Sequence, residues 1–122
     1  MKLKLPERRR FVRIDVPLRI VVKGNGYSEE VLTKNISPLG FNFEANRKFE
    51  ESESLSILLY IPSLDDPVSI LAKVVWQNKV NLEDNAPYDM GVEIVEIDDT
   101  KKDVFLKYLC DLLYESVYEE RA

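Results

Sequence analysis

Residues 12–22 read VRIDVPLRIVV, and every second position in this stretch is apolar. The apolar positions of one face are Val12, Ile14, Val16, Leu18, Ile20 and Val22. Side chains at a spacing of two residues point to the same face of an extended chain, so the pattern predicts a long, half-buried β-strand. Pro17 interrupts the pattern. Because proline has no amide N–H, we expect a bulge or a sheet edge at this residue.

The same alternation returns five more times along the chain. The further predicted strands are Tyr27–Ile36, Leu39–Ala45, Ser54–Ile61, Val68–Trp76 and a last one with Met90, Val92 and Ile94 inward. Short segments rich in glycine, proline, asparagine and aspartate separate them, and Gly24-Asn25-Gly26 is typical of a hairpin turn. Six short strands with tight turns predict an all-β fold. We expect an antiparallel barrel, since closure leaves no exposed sheet edge.

The strand pattern assigns Trp76 to the interior, because it closes the inward set Val68, Ile70, Ala72 and Val74. Aromatic side chains at such positions more often belong to the core than to a ligand platform. The alternating set of the third predicted strand begins at Leu39.

After the last strand the period changes to that of a helix over about residues 99–120. Apolar residues recur at spacings of three and four from Phe105 to Val117, which is typical of an amphipathic helix. Asp98, Asp99 and Thr100 supply oxygens suited to capping its start. The apolar face is expected to pack either on the barrel or on a second copy of the helix, which would make a homodimer. Cys110 lies on or beside this face and is interpreted as a small hydrophobic residue.

Composition restricts the function. The 122 residues fit one domain, and they include no histidine and a single cysteine. His-based catalysis, His or Cys metal sites and an internal disulfide are therefore excluded. No apolar run reaches the about 20 residues that cross a bilayer, and the first residues lack the apolar core of a signal peptide. We expect a cytoplasmic protein without metal or cofactor that is not an enzyme.

Positive charge is concentrated at the N-terminus. Arg8, Arg9, Arg10 and Arg13 fall within six residues, and residues 1–13 carry a formal charge of +5 in a chain whose net charge is -5. Residues 1–8 are interpreted as a flexible basic arm and residues 9–122 as the single domain. The guanidinium groups could clamp an anionic, purine-containing ligand, because arginine makes paired hydrogen bonds and stacks on rings. A solvated basic tail is the alternative.

A second polar motif, Asn35-Ile36-Ser37-Pro38-Leu39-Gly40, follows the second predicted strand. Asn35 and Ser37 share a face of an extended segment, and their amide and hydroxyl could recognise a purine edge. Gly40 permits a close backbone approach that a Cβ would block. The alternative is an ordinary turn, since asparagine, serine, proline and glycine are turn formers.

The two motifs together resemble those of the PilZ domain family. Arg9 and Arg13 match an Arg-x-x-x-Arg motif, and Asn35, Ser37 and Gly40 match Asn-x-Ser-x-x-Gly. The resemblance extends over about residues 7–110, including the segments 71–76 and 90–94. It implies a six-stranded antiparallel barrel with a C-terminal helix. It also implies binding of the bacterial second messenger cyclic di-GMP by Arg9 and Arg13, with Asn35, Ser37 and Gly40 holding the other side of the ligand.

The resemblance further implies a role for Arg8, which directly precedes the first motif. Its guanidinium could stack on an additional guanine and favour two bound ligands over one. Position 35 is often aspartate in the family, and the neutral amide of Asn35 offers no anionic acceptor to guanine, so we expect a lower affinity.

We therefore expect a cyclic di-GMP receptor that orders its arginine-rich arm on binding and signals to a partner protein. One alternative is a PilZ-like interaction module that binds no nucleotide. The other is a nucleic-acid-binding barrel, but that function favours basic residues along a groove, whereas here they are confined to one end.

Overall fold

The computed structural model describes residues 13–121, with side chains described as far as residue 115. Six antiparallel strands form a closed barrel in the spatial order β1-β2-β3-β6-β5-β4, and one helix follows them. The elements are β1 Arg19–Gly24, β2 Tyr27–Ser37, β3 Gly40–Ala45, β4 Ser54–Leu59, β5 Val68–Lys79, β6 Tyr88–Ile97 and α1 Lys102–Arg121. The predicted all-β barrel with a C-terminal helix is confirmed.

Alternating apolar residues fill the barrel interior. On β1 the buried residues are Ile20 and Val22, and on β4 they are Leu55, Ile57 and Leu59. They join one continuous core with Phe41, Phe43, Val68, Ile70, Ala72, Val74, Met90 and Val92. Because each strand places its apolar face inward, burial of these side chains determines the register and closes the barrel.

The first predicted strand is broken at Pro17. A regular strand begins only at Arg19, and before it Ile14 forms an isolated antiparallel bridge with Ile36. The Leu18 amide donates to the Val16 carbonyl at 3.2 Å, so Pro17 is the central residue of a three-residue turn. The interruption therefore divides the expected strand into a bridging segment and β1.

The buried side chain of Thr33 holds the broken segment against β2. Its hydroxyl donates to the Val16 carbonyl at 2.6 Å and accepts from the Leu18 amide at 2.9 Å. The Thr33 amide in turn donates to the Leu18 carbonyl at 2.9 Å. Together with the turn bond between the Leu18 amide and the Val16 carbonyl, these bonds hold the segment on both sides of Pro17 to β2, and each contributes about 0.5–1.5 kcal/mol.

The helix packs its apolar face on the barrel of the same chain. Phe105 and Leu109 are buried within the barrel core, and Leu106, Tyr108 and Leu112 pack around them.

The helix begins at Lys102, three residues later than expected, because residues 98–101 form a turn. In this turn Asp98 Oδ1 accepts from the amide and hydroxyl of Thr100, and these bonds lower the pKa of Asp98. Homodimerisation through the helix stays a prediction.

One expectation about burial in the C-terminal helix is corrected. Cys110 is interpreted from the sequence as a small hydrophobic residue on or beside the apolar face, but it is exposed, because it lies on the side of the helix away from Phe105 and Leu109.

Within the described part of the chain, no helix is long and apolar enough to span a membrane.

Candidate ligand-binding site

The bridge between Ile14 and Ile36 places Arg13 beside the second motif. The Ile14 amide donates to the Ile36 carbonyl at 2.9 Å, and the Ile36 amide donates to the Ile14 carbonyl at 3.0 Å. This reciprocal pair fixes the chain one residue after Arg13. Arg13 therefore lies next to the end of β2, although Asn35 is 22 positions further along the chain.

Arg13 and Asn35 are in direct contact. Arg13 Nη1 donates to Asn35 Oδ1 at 2.8 Å. An aspartate at position 35 would neutralise the guanidinium in an ion pair, whereas the asparagine amide orients it and leaves its full charge. Among residues 13–115, Arg13 forms no ion pair, so its charge is available to an anion.

The neighbouring cation on β2 is already engaged. The Lys34 ammonium lies 3.1 Å from a Glu44 carboxylate oxygen and 3.3 Å from an Asp89 carboxylate oxygen. These contacts raise the pKa of Lys34, with the hydrogen bond to Glu44 as the largest cause. Lys34 thus joins β2, β3 and β6 on the outer face, and among residues 13–115 the cationic residue that lines the pocket described below is Arg13.

Ser37 shapes the bend between β2 and β3. Its hydroxyl donates to the Gly40 carbonyl at 3.3 Å and accepts from the Leu39 amide at 3.2 Å. Ser37 is buried, with only 3% of its surface exposed, so its side chain stabilises the turn from inside. The motif is therefore a turn, as one interpretation held, and it also borders the pocket described next.

Gly40 is required by the barrel itself. A Cβ at this position would lie 2.1 Å from the Val92 carbonyl oxygen and 3.2 Å from the Cα of Glu93, both in the backbone of β6. The close approach that the sequence predicted is thus made by a neighbouring strand. The turn and the adjacent β6 can pack together only with glycine here.

A pocket of about 240 Å³ opens on the outer face of the barrel at this point. Residues from the N-terminal segment, the β2–β3 turn, β5 and β6 line it: Arg13, Ser37, Leu39, Gly40, Val75, Trp76, Gly91, Val92 and Glu93. The structure therefore brings Arg13, Ser37 and Gly40 to one pocket, with Asn35 bonded to its arginine. Arg8 and Arg9 lie outside the described residues.

The assignment of Trp76 to the core is wrong, because the side chain is 40% exposed and lines the pocket. In the β5–β6 pairing Val74 faces Val92 and Trp76 faces Gly91, so Val75 is an inserted bulge residue. A bulge shifts the inward and outward alternation by one residue, and Trp76 therefore turns outward. The third strand is predicted to begin at Leu39, but β3 begins at Gly40: Leu39 lies in the turn before it, and 40% of its surface is exposed.

The indole of Trp76 lies directly over Gly91. A Cβ on Gly91 would come within 2.2–2.9 Å of three indole atoms. The ring packs against the Gly91 backbone because glycine has no side chain there, and the exposed part of the ring forms one wall of the pocket. Sequence pattern alone missed Trp76 and Glu93 as site residues, although Gly91 facing an aromatic residue across the hairpin was a usable signal.

Known protein families and solved structures include the same fold. The family model of the PilZ domain matches residues 7–110, so this chain belongs to the PilZ domain family. No curated protein sequence matches the chain.

Several solved structures share the fold. The inhibitor of motility MotI/DgrA of Bacillus subtilis superposes with a TM-score of 0.70 at 23% identity, covering 91% of this chain and 52% of that one. YcgR of Escherichia coli in complex with c-di-GMP gives a TM-score of 0.70 at 12% identity, with 93% and 50% covered. The PilZ domain of YcgR with c-di-GMP gives 0.63 at 15% identity, with 93% and 97% covered. This chain spans about half the length of the first two proteins.

Proposed function

We propose that this protein is a cyclic di-GMP receptor that acts by binding and carries out no catalytic step. The observation that carries the proposal is the placement of Arg13, held by Asn35, at the edge of a pocket with an exposed indole wall. Arginine pairs with the O6 and N7 atoms of guanine and with phosphate oxygens, and an indole stacks on a base. Structures of YcgR with c-di-GMP, which have the same fold, support the choice of ligand.

The size of the pocket supports a role for the N-terminal arm. Its volume of about 240 Å³ is below the range of about 300–1,000 Å³ that is usual for small-molecule sites. A ligand with two guanines and two phosphodiesters would extend beyond it. We therefore propose that Arg8 and Arg9 cover the rest of the ligand, and that binding orders residues 1–13.

Ordering of the arm would carry the signal. The ordering cost must be offset by charge-assisted bonds to the ligand, so the ordered state is populated only when ligand is bound. In the proposed mechanism the basic arm is drawn onto the barrel in the cytoplasm, and the changed surface is recognised by a partner protein. No DNA or RNA is involved in this mechanism.

Calorimetry tests the proposal. Titration of the purified protein with cyclic di-GMP is expected to give saturable binding in the micromolar range or tighter. GMP has one guanine and no cyclic backbone, and it should bind at least about 100-fold more weakly because it makes about half of the contacts.

The same titration tests the role of Arg8. Arg8→Ala is expected to reduce a stoichiometry of two ligands per domain to one. A stoichiometry of one that Arg8→Ala leaves unchanged would reject the role of Arg8. Absence of binding at about 100 μM would reject the receptor function and favour the nucleotide-free interaction module, for which the exposed Leu39 and Val75 offer contact surface.

Trp76→Ala is expected to weaken cyclic di-GMP binding about tenfold, since stacking of a base on an aromatic ring contributes about 1–3 kcal/mol. Trp76→Phe should recover most of the loss because it retains an aromatic face. Leu82→Ala is the control: Leu82 is 99% exposed on the β5–β6 loop and is not among the pocket residues. Equal affinities of the Trp76→Ala variant and the parent protein would exclude stacking on this ring.

A further inference from the structure

A second asparagine, Asn42, is hydrogen-bonded to Asn35, the residue that contacts Arg13. The pairing of β2 with β3 shifts between Thr33, which faces Phe43, and Asn35, which faces Asn42. Lys34 is therefore the inserted residue of a bulge, where the regular ladder of backbone hydrogen bonds is disturbed. At this point the backbone amide of Asn35 donates to the side-chain Oδ1 of Asn42 at 3.2 Å.

The two asparagines form a connected series of hydrogen bonds that ends at the arginine. Asn42 Oδ1 accepts from the Asn35 backbone, and Asn35 Oδ1 accepts from Arg13 Nη1 at 2.8 Å. In both bonds the donor is an N–H group, so the accepting atom of each amide must be the oxygen. Asn42 itself is half-buried and is not among the pocket residues.

We infer that Asn42 is a positioning residue for nucleotide recognition, acting on Arg13 through Asn35. This inference rests on the proposed function. A bulge gives the backbone at Asn35 more freedom than a regular strand does, and the Asn42 bond restrains it. Paired recognition of guanine or phosphate requires the guanidinium in one orientation, so a restrained Asn35 raises affinity by reducing the ordering cost of binding.

The test compares two substitutions at position 42 by calorimetry with cyclic di-GMP. Asn42→Ala removes the acceptor and is expected to lower affinity about five- to tenfold, the effect of one hydrogen bond. Asn42→Asp keeps an acceptor oxygen of the same reach and should bind within about twofold of the parent protein. Asn46→Ala is the matched control, because the Asn46 side chain bonds to Glu29 at the other end of β3.

Amide hydrogen exchange of the unliganded proteins separates positioning from folding. In Asn42→Ala the Asn35 amide should exchange faster, while the bridging amides of Ile14 and Ile36 should stay protected. Equal affinities of Asn42→Ala and the parent protein would overturn the inference, as would equal losses in the alanine and aspartate variants or loss of protection at Ile14 and Ile36. If the parent protein binds no cyclic di-GMP, the proposed function fails. If the parent protein binds it and Asn42→Ala binds it equally well, the proposed function stands and only the inference about Asn42 fails.

Discussion

Arg13→Ala is expected to lower the affinity for cyclic di-GMP at least about 100-fold. The substitution removes a charge-assisted, paired contact, and such contacts contribute about 1.5–3 kcal/mol each. It also removes the guanidinium that donates a hydrogen bond to Asn35 Oδ1. Arg9→Ala is expected to have an effect of the same size, because the ligand needs a guanidinium on each side.

Both arginine variants should unfold at nearly the temperature of the parent protein. Arg13 is exposed, and its single described bond is a solvent-exposed one to the half-buried Asn35, so its removal changes stability by no more than about 0.5 kcal/mol. Arg47→Ala is the matched control, since it removes the same charge from the loop after β3, where the guanidinium lies over Tyr27 and Phe49. Retained binding in Arg13→Ala, or a large loss of stability in either arginine variant, would contradict a role as ligand contacts.

Gly40→Ala is expected to destabilise the fold by about 3 kcal/mol or more and to lower the melting temperature by about 10 °C or more. The added Cβ would lie 2.1 Å from the Val92 carbonyl oxygen. Because the contact is with backbone of a paired strand, no side-chain rotation can relieve it. Thermal unfolding followed by circular dichroism measures the effect in the absence of ligand.

Gly26→Ala provides the comparison for Gly40→Ala. Gly26 has a φ of 67°, and an added Cβ there would have no atom within 4 Å. Its cost is therefore conformational only, about 1–2 kcal/mol. Should Gly40→Ala be no more destabilising than Gly26→Ala, then β3 and β6 can separate at the turn, and the glycine would be assigned to ligand binding as the sequence first suggested.

Much of the candidate site could be predicted from the sequence because its chemistry is local. Arginine, asparagine, serine and glycine at fixed spacings identify donors, acceptors and a point of close packing whatever their three-dimensional arrangement. The structural role of Gly40, which is close packing against β6, could not be predicted in the same way. The sequence shows that a Cβ is excluded, but the excluding atom belongs to Val92, which lies 52 positions further along the chain.

Trp76 illustrates the other limit. Its alternation with Val74 is correct for an ideal strand, and the error arises from one inserted residue, Val75. A bulge depends on the register of the partner strand, and no property of residues 68–76 alone records it. The same applies to Asn42, whose role follows from the bulge at Lys34 across the β2–β3 pair.

The six strands, most of their inward positions and the C-terminal helix could be predicted from sequence, because burial of apolar residues is a short-range pattern with a period of two in strands and about 3.6 in a helix. Which polar residues meet depends on the tertiary structure. The Ile14–Ile36 bridge brings Arg13 to Asn35, and the bulges turn Trp76 outward and place Asn42 behind the contact. These outcomes depend on pairing between distant segments, whose register is determined by closure of the whole barrel.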